Sequence, residues 1–448
     1  MHARPLSRLL ALLAALALPA GAATVIEGAR VFDGERDLGE ATILVEDGRI
    51  AAIGAPGTVQ VPDGAERIDY SGRHIVPGLV ANHAHVGNVS GTEHGSRFYT
   101  RENILAQLAQ YQAFGVTTVV ALGLNPPPFA EIRDAVNADP RLGASLFGAG
   151  RGVGAPDGAP PADRMNLAPG AAARAQTAED AREAVRQAKA EGADIVKLWV
   201  DDLGGSAPMM QDEVYRAAIA EAHAQGLKVA AHIHDLEPAR ALAEAGVDII
   251  AHGVRDQPVD PAFVALLRER GIGYIPTVNI DEANYLYAER PEMLEDPFFL
   301  AALSPALRAR FEDPEWRRTT LEGAGVADAR AAVRTNLRNL ATLHAGGVTL
   351  GFGTDSGATA VRIPGFAEHR ELELMTQAGL TPTEALQVAT RNAAALMGFE
   401  DRGLLAPGRR ADFVVLGADP AADILNTRRI EAVWQQGRRV AGRVGDEE

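Results

Sequence analysis

The sequence predicts an α/β protein in which a (β/α)8 TIM barrel carries a small β-sandwich domain built from both termini. Eight short apolar segments of strand-like composition follow one another, and most are preceded by a segment with helical character. This alternation favours a closed barrel over an open doubly wound sheet. No glycine-rich phosphate-binding motif opens a helix, so a nucleotide cofactor is not expected. The eight segments are 74–80, 116–122, 145–150, 194–200, 228–234, 248–253, 271–277 and 348–355.

The composition is that of a globular protein with a large core, since 47% of the 448 residues are hydrophobic and 23% are charged. The formal net charge of −16 argues against a nucleic-acid or anionic-membrane partner, for which a basic patch is the usual footprint. The chain has no cysteine, which excludes disulfides and thiolate ligands. Any metal ion would therefore be bound through nitrogen and oxygen.

Residues 1–23 have the pattern of a cleavable signal peptide. Arg4 and Arg8 supply a short basic region, ten apolar residues follow, and small residues offer cleavage after Ala22 or Ala23. The alternative is an apolar N-terminal helix retained in the fold. We expect a periplasmic or secreted protein with no membrane contact after cleavage, because no later apolar run is long enough to span a bilayer.

The predicted strands near the two ends are short, alternate in polarity and are separated by Gly, Asp and Pro. We therefore assign residues 24–74 and 400–443 to the β-sandwich domain and residues 75–399 to the barrel. Residues 278–346 are too long for a simple connection and are predicted to form an inserted helical, lid-like segment. Packing as an ornament on the flank of the barrel explains this segment equally well.

Polar side chains follow several of the predicted strands at the point where each strand ends. In a barrel of this kind the carboxyl ends of the strands carry the chemistry. Five of the 11 histidines lie there, together with one lysine and one aspartate. Imidazole nitrogens and carboxylate oxygens from separate strands are how a zinc-type site is assembled. The residues are His83 and His85 on the first strand, Lys197 on the fourth, His232 and His234 on the fifth, His252 on the sixth and Asp355 on the eighth.

Lys197 lies inside an otherwise apolar strand, where a charged ammonium group is costly unless it is paired or neutralised. One explanation is a snorkelling or salt-bridged lysine, paired with Asp201 or Asp355. The other is a deprotonated lysine that has captured CO2 as a carbamate and bridges two divalent cations. The spacing alone leaves both explanations open. Asp355 is likewise either a functional carboxylate or a turn residue, because the Thr, Ser and Gly around it favour turns.

Seven stretches of the chain occur in the same order in one known family. They are IVPGLVANHAHVG, GVTTVVALG, GADIVKLWV, KVAAHIH, AGVDIIAHGV, GVTLGFGTDSG and GLTPTEALQVATRNAAALMG. Together they resemble the amidohydrolase superfamily, and most closely its exported imidazolonepropionase-like or Xaa-Pro-dipeptidase-like branch. The resemblance covers almost the whole chain after residue 23 and is weakest over 278–346. It implies a (β/α)8 barrel, a small β-sandwich from both termini and two divalent metal ions, commonly Zn2+.

The resemblance also implies a role for each strand-end residue. The more buried ion would be bound by His83, His85 and Asp355, the more exposed ion by His232 and His252, and carboxylated Lys197 would bridge the two. The fifth-strand ligand is taken as His232 rather than His234, because its separation of 20 residues from the sixth-strand histidine matches the family pattern.

The implied reaction is hydrolysis of a C–N amide or peptide bond in a small substrate, such as a dipeptide or an N-acyl amino acid. A hydroxide bridging the two ions would attack the carbonyl, and Asp355 would act first as general base and then as general acid. A lactonase, an esterase or a cyclic amidase would use the same centre, so these alternatives stay open. A non-catalytic binding barrel is disfavoured because every implied ligand is present.

Departures from the family pattern border the predicted pocket. Ala81 stands where an aspartate is common, and Asp235 stands where a glycine is common. These differences leave the ligand set intact and indicate a specialised substrate pocket. The expected partner is a small-molecule amide or peptide. A homo-oligomer is expected only because homo-oligomers are common among soluble proteins.

Four further residues are candidates for substrate contacts, namely His234, Arg151, Arg362 and His369. The two arginines lie in loops after the third and eighth strands, where a cation could hold a substrate carboxylate. A role as a surface or helix residue is the favoured alternative for Arg151, Arg362 and His369, and a plain structural role explains His234 equally well. The insertion offers aromatic side chains for an apolar wall, or for ordinary packing, at Tyr285, Tyr287, Phe298 and Phe299.

Overall fold

The computed structural model describes residues 23–444. The predicted signal peptide lies outside this range except for Ala23. Within residues 23–444, no helix combines the length and the apolar character needed to cross a lipid bilayer.

The strands of the described chain are β1 (Thr24–Phe32), β2 (Asp37–Glu46), β3 (Arg49–Gly54), β4 (Glu66–Asp69), β5 (His74–Pro77), β6 (Leu79–Ala84), β7 (Val89–Ser90), β8 (Glu93–His94), β9 (Val116–Ala121), β10 (Ser145–Gly148), β11 (Val153–Gly154), β12 (Ala173–Arg174), β13 (Val196–Trp199), β14 (Val229–His232), β15 (Ile249–Ala251), β16 (Gly273–Ile275), β17 (Phe413–Leu416), β18 (Ile430–Gln435) and β19 (Arg438–Ala441). The α-helices are α1 (Arg101–Ala113), α2 (Phe129–Ala138), α3 (Ala178–Ala190), α4 (Asp212–Ala224), α5 (Leu236–Ala245), α6 (Pro261–Arg270), α7 (Asn279–Glu282), α8 (Leu286–Glu289), α9 (Pro297–Ala301), α10 (Pro305–Glu312), α11 (Pro314–Leu321), α12 (Val326–Ala345), α13 (Phe366–Gln377), α14 (Pro382–Gln387) and α15 (Ala393–Met397).

Strands from both ends of the chain form one eight-stranded mixed sheet. Its order is β19-β18-β17-β5-β1-β2-β3, with β4 paired to β1. The pairing of β5 with β17 joins the N-terminal strands to the C-terminal strands, and Val76 lies opposite Val414. One face of the sheet buries its own apolar cluster, in which the rings of Phe413 and Trp434 stack with their centroids 5.4 Å apart.

The chain passes from this sheet to the central strands at Gly78. The sequence predicts one strand over 74–80, but the structure has two, because the hydrogen-bond partners change at this residue. The Gly78 N–H donates to the Asp412 carbonyl, whereas the Leu79 N–H donates to the Gly115 carbonyl. A Cβ at position 78 would lie 2.2 Å from the Thr117 hydroxyl oxygen, so only glycine fits this close crossing.

The central strands pair in parallel and fall into two sheets. One has the order β10-β9-β6, and the other has the order β12-β11-β13-β14-β15-β16. Single bridges, Ala84 to Ser356 and Tyr274 to Leu350, connect the segment around 350–356 to both sheets. The predicted α/β class with parallel strands is therefore confirmed. Closure of these strands into an eight-stranded barrel stays a prediction.

The inserted segment contains the helices α7 to α12, and its aromatic side chains are buried. The ring of Tyr287 stacks on Phe299 and Phe311, with centroids 5.2 and 4.7 Å apart, respectively. Phe299 also contacts Phe366 of α13, so the aromatic cluster attaches the insertion to the main body. These contacts favour packing over an exposed apolar wall as the role of these rings.

Candidate metal centre

The two histidines of the first central strand point toward the same place. His83 lies in β6 and His85 follows the strand by one residue, so the alternation of an extended chain puts both imidazoles on one face. Both residues are almost completely buried. Their ring centroids are 5.8 Å apart.

Asp355 joins these two imidazoles through a single carboxylate oxygen. Its Oδ1 lies 3.1 Å from His83 Nε2 and 3.0 Å from His85 Nε2. Backbone pairing places it there, because the Asp355 N–H donates to the His83 carbonyl over 3.0 Å. A Cβ at Gly353 would lie 2.6 Å from His83 Cβ, so the lack of a side chain there allows the two segments to approach.

The turn that carries Asp355 is held by a buried network. The hydroxyls of Thr354 and Ser356 each donate to Glu368 Oε1 over 2.6 Å. The Ser356 hydroxyl also bonds the hydroxyl of Tyr111 at 2.6 Å. Asp355 has a φ of 61°, an uncommon conformation for a residue other than glycine, and this network supports it.

The Asp355 carboxylate is held in its ionised form. Burial alone would raise its pKa, but the Arg362 guanidinium and the two imidazoles hold the pKa well below its usual value. Arg362 forms a close ion pair with the second carboxylate oxygen of Asp355. Arg362 is therefore the predicted substrate-contact residue that the structure brings to the centre.

Lys197 lies next to the same cluster. Its side chain is fully buried, and its Nζ is 3.5 Å from His83 Nε2. Among the described residues no carboxylate forms an ion pair with it, which removes the salt-bridge explanation, and full burial removes the snorkelling one. Burial lowers the pKa of Lys197 to about 7, so a large fraction of the amine is neutral at physiological pH.

His252 links His83 to His232. The His252 ring centroid is 4.4 Å from that of His83 and 4.5 Å from that of His232. Burial lowers the pKa of all three imidazoles, that of His83 and His252 well below the usual value, so the rings are neutral at neutral pH. Each neutral ring keeps one nitrogen lone pair, which is the form that binds metals.

This set of side chains fits a metal ion. Ligand atoms of His83, His85 and Asp355 all lie within 4.8 Å of one another and are buried. A carboxylate and several imidazoles converge at one buried point, and Arg362 pairs with the carboxylate from one side. Nitrogen and oxygen donors of this kind are suited to zinc and similar divalent ions.

Comparison with known proteins agrees with this geometry. A sequence profile of the amidohydrolase family matches residues 74–440. The chain belongs to the amidohydrolase family. It is therefore a hydrolase that acts on carbon–nitrogen bonds, and members of the family generally use a divalent metal ion.

Several relatives of this amidohydrolase match over most of their length. An uncharacterized protein of Mycobacterium tuberculosis is 29% identical over 84% of this chain and 86% of its own. An imidazolonepropionase of Streptomyces avermitilis is 25% identical over 90% of this chain and 87% of its own. The crystal structure of a Xaa-Pro dipeptidase with bound methionine covers 93% of this chain and 99% of its own, with a TM-score of 0.74 and 23% identity, which shows a shared fold.

Three of the predicted substrate-contact residues are not brought to the centre of this amidohydrolase. Arg151 forms an ion pair with Glu191 and donates to the Gly170 carbonyl. His369 is buried, and both of its ring nitrogens are bonded, to the Phe114 carbonyl and to the Thr427 hydroxyl.

Both ring nitrogens of His369 are bonded within the protein, which favours a structural role for it. The bonds of Arg151 to Glu191 and Gly170 favour the same for that residue, and the predicted substrate contacts of both stay predictions. His234 bonds Asp235 through Nδ1 at 2.6 Å and leaves 43% of its side chain exposed. The ring contacts of the described residues join His83, His85, His232 and His252 but not His234, and His232 as the fifth-strand ligand stays a prediction.

Sequence reasoning missed two polar side chains that bond the histidines. Asp201 Oδ2 lies 2.8 Å from His232 Nε2, and Thr277 Oγ1 lies 2.9 Å from His252 Nδ1. Burial would raise the pKa of Asp201, but the bond to His232 lowers it. Their position in the chain could have identified these two residues. Each one follows the end of a central strand, as several of the proposed ligands do.

Proposed function

We propose that this chain is a binuclear metal-dependent amidohydrolase that cleaves the amide or peptide bond of a dipeptide or an N-acyl amino acid. One observation carries the proposal. Side chains from four strands or their ends and from the segment at 353–356, far apart in sequence, meet in one buried cluster of imidazoles around an ionised carboxylate and a lysine whose pKa is lowered by burial.

The two halves of the cluster would hold one ion each. His83, His85 and Asp355 form the first group, and His232 with His252 forms the second. Lys197, carboxylated by CO2, would lie between them. The contact of its Nζ with His83 and its lowered pKa support this role, because only the neutral amine reacts with CO2. The absence of cysteine from the chain favours Zn2+ bound by nitrogen and oxygen.

The bound ions would lower the pKa of a water molecule and polarise the scissile carbonyl. Asp355 accepts the proton of the attacking water, because its carboxylate is ionised and lies at the centre of the ligand group. The same carboxylate then delivers that proton to the leaving nitrogen. The Arg362 guanidinium holds one oxygen of Asp355 and leaves the other facing the imidazoles.

Arg362 is also the group best placed to bind a carboxylate of the substrate. It is the arginine in contact with the catalytic carboxylate, and its Nε has no partner among the described residues. Dipeptides and N-acyl amino acids both end in a carboxylate that such a group recognises. The name of the Xaa-Pro dipeptidase that shares this fold, and a prolidase candidate of Bifidobacterium longum with 26% identity, support the dipeptide assignment.

A cyclic amide is the second candidate substrate. The similarity to an imidazolonepropionase, and to a dihydroorotase of Geobacter metallireducens at 24% identity, favours it. Both reactions cleave a carbon–nitrogen bond, so the centre would serve either one.

A substrate panel tests the proposed function. Zinc-loaded protein is assayed against Xaa-Pro and other dipeptides, N-acyl amino acids, cyclic amides, and lactones or esters. We expect turnover of linear amides with a free carboxylate, and loss of that turnover after chelation. Preference for cyclic amides would support the second candidate, and preference for lactones or esters would contradict both.

We also propose that the protein is exported to the periplasm or secreted. The basic, apolar and small-residue pattern of residues 1–23 supports this location. The N-terminal mass of the protein from fractionated cells checks it, and we expect a mature chain that begins at Ala23 or Thr24. A cytoplasmic chain that retains Met1 would contradict it.

A further inference from the structure

The two halves of the metal centre differ in how their histidines are oriented. In the first half, the Nε2 atoms of His83 and His85 face Asp355, and their buried Nδ1 atoms have no partner among the described residues. In the second half, each histidine has one ring nitrogen bonded to a side chain that is not a predicted ligand.

Asp201 determines which nitrogen of His232 carries the hydrogen. One oxygen of the Asp201 carboxylate accepts the Leu203 N–H over 2.8 Å, and the other lies 2.8 Å from His232 Nε2. A carboxylate only accepts hydrogen bonds, so Nε2 of the neutral ring must be the protonated nitrogen. The lone pair of His232 is therefore on Nδ1.

Strand pairing explains why Asp201 reaches this histidine. Trp199 of β13 lies opposite His232 of β14, and Asp201 is two residues further along the same direction. It is 8% exposed, so the bond to His232 is shielded from water. The Leu203 N–H fixes the carboxylate from the other side.

Thr277 bonds His252 through the opposite ring nitrogen. The Thr277 hydroxyl lies 2.9 Å from His252 Nδ1, at a position that is completely buried. When Nδ1–H donates to this hydroxyl, the lone pair of His252 is on Nε2. Both residues have positive φ angles, 42° for Thr277 and 156° for His252, so the backbone is held in an uncommon conformation around this bond.

We infer that Asp201 and Thr277 are positioning residues that set the tautomers of His232 and His252 and thereby the affinity of the second ion. They present Nδ1 of one ring and Nε2 of the other, while the first ion depends on neither residue. The inference rests on the proposed binuclear centre. Partners of this kind orient metal-binding histidines, and their loss typically weakens metal binding by about 10–100-fold.

Metal binding by the mature full-length chain tests the inference without any assay of activity. Zn2+ is titrated into chelated protein against a competing chelator of known affinity, and the bound ions are counted by elemental analysis after dialysis. The variants are Asp201→Asn, Asp201→Ala, Thr277→Val and Thr277→Ser. The control is Asp202→Asn, a neighbouring loss of charge at a residue that bonds no described histidine through its side chain.

The expected result is weaker binding of the second ion with unchanged binding of the first. Asp201→Ala and Thr277→Val raise the dissociation constant of the second ion by about 10–100-fold. Asp201→Asn has a smaller effect, because an amide oxygen can still accept from Nε2. Thr277→Ser keeps the hydroxyl and restores the affinity. The first ion, bound by His83, His85 and Asp355, is unchanged in every variant and reports that the fold is intact.

Three results would overturn the inference. Unchanged affinity in all variants would show that neither residue orients a ligand. Equal weakening of both ions would show a general loss of structure. Complete loss of the second ion in Asp201→Asn would make Asp201 a direct ligand. Failure of the proposed function is distinguishable, because the wild-type chain itself would then bind fewer than two ions.

Discussion

The two halves of the proposed metal centre are built by different means. His83, His85 and Asp355 are placed by the backbone, since the segment at 353–356 bonds directly to β6. His232 and His252 come from β14 and the end of β15, and side chains of the neighbouring strand ends hold their rings. The comparison indicates that the first half depends on backbone pairing and on the buried network around Glu368, whereas the second half depends on single side chains bonded to each histidine ring.

The largest expected effect comes from Asp355→Asn. The amide keeps an oxygen for the ligand group but cannot accept and return a proton, so we expect kcat to fall by about 10²–10⁴-fold. Metal analysis should still find ions bound to the variant. Near wild-type turnover would remove Asp355 from the catalytic role.

Arg362→Ala is expected to act on substrate binding, because Arg362 contacts the centre through Asp355. For substrates with a free carboxylate, KM should rise by about 10–100-fold, the cost of one charge-assisted hydrogen bond. The KM of the corresponding methyl esters should change far less, whereas kcat should fall for both kinds of substrate because Asp355 loses its partner. Arg151→Ala is the matched control, since that guanidinium is paired with Glu191. An equal effect of the two substitutions would contradict the assignment.

Gly353→Ala breaks the backbone contact that defines the first half. The new Cβ would lie 2.7 Å from the His83 backbone nitrogen, which forces the two segments apart. We expect the free energy of unfolding to fall by about 1–3 kcal/mol and the first ion to bind more weakly than the second.

Gly325→Ala provides the control for that experiment. Its φ is −78°, and no atom lies within 4 Å of the added Cβ, so stability should be nearly unchanged. If Gly353→Ala weakened the binding of the second ion and left the first unchanged, the proposed difference between the two halves would be wrong.

His369→Gln has the smallest expected effect on catalysis, because His369 lies outside both halves. Burial lowers its pKa to about 3, so the folded protein keeps the ring neutral at pH values where the unfolded chain protonates it. Its contribution to the free energy of unfolding is thus present above about pH 6.5 and is lost as pH falls toward 3, by up to about 1.4 kcal/mol per pH unit.

Urea denaturation of chelated protein at pH 7 and pH 5 measures this contribution. The wild type should lose more stability between the two pH values than His369→Gln, while kcat and KM of the zinc-loaded variant stay close to those of the wild type. A large rise in KM with an unchanged pH dependence would restore a substrate role for His369.

The convergence of the proposed ligands can be explained from the sequence, because strand geometry brings most of them together. Alternation places His83 and His85 on one face, and the carboxyl ends of parallel strands bring His252 and Asp355 to the same edge. The break at Gly78 is not predictable from apolar pattern, because both flanking segments read as one strand. It depends on the approach of Thr117, a residue far along the chain.

Residues in loops and helices were predicted less well. Arg151 and His369 have the right chemistry for a substrate contact, but their direction depends on Glu191, Phe114 and Thr427, which no local pattern relates to them. Asp201 was considered only as a partner for Lys197. Its bond to His232 follows from the register between β13 and β14, which a sequence pattern does not specify.

Anomalous X-ray diffraction from zinc-loaded crystals tests the central claim most directly. The account predicts two zinc peaks, one at His83, His85 and Asp355 and the other at His232 and His252, with density for a carboxylated Lys197 between them. A single peak, or an unmodified Lys197 with zinc bound elsewhere, would contradict it.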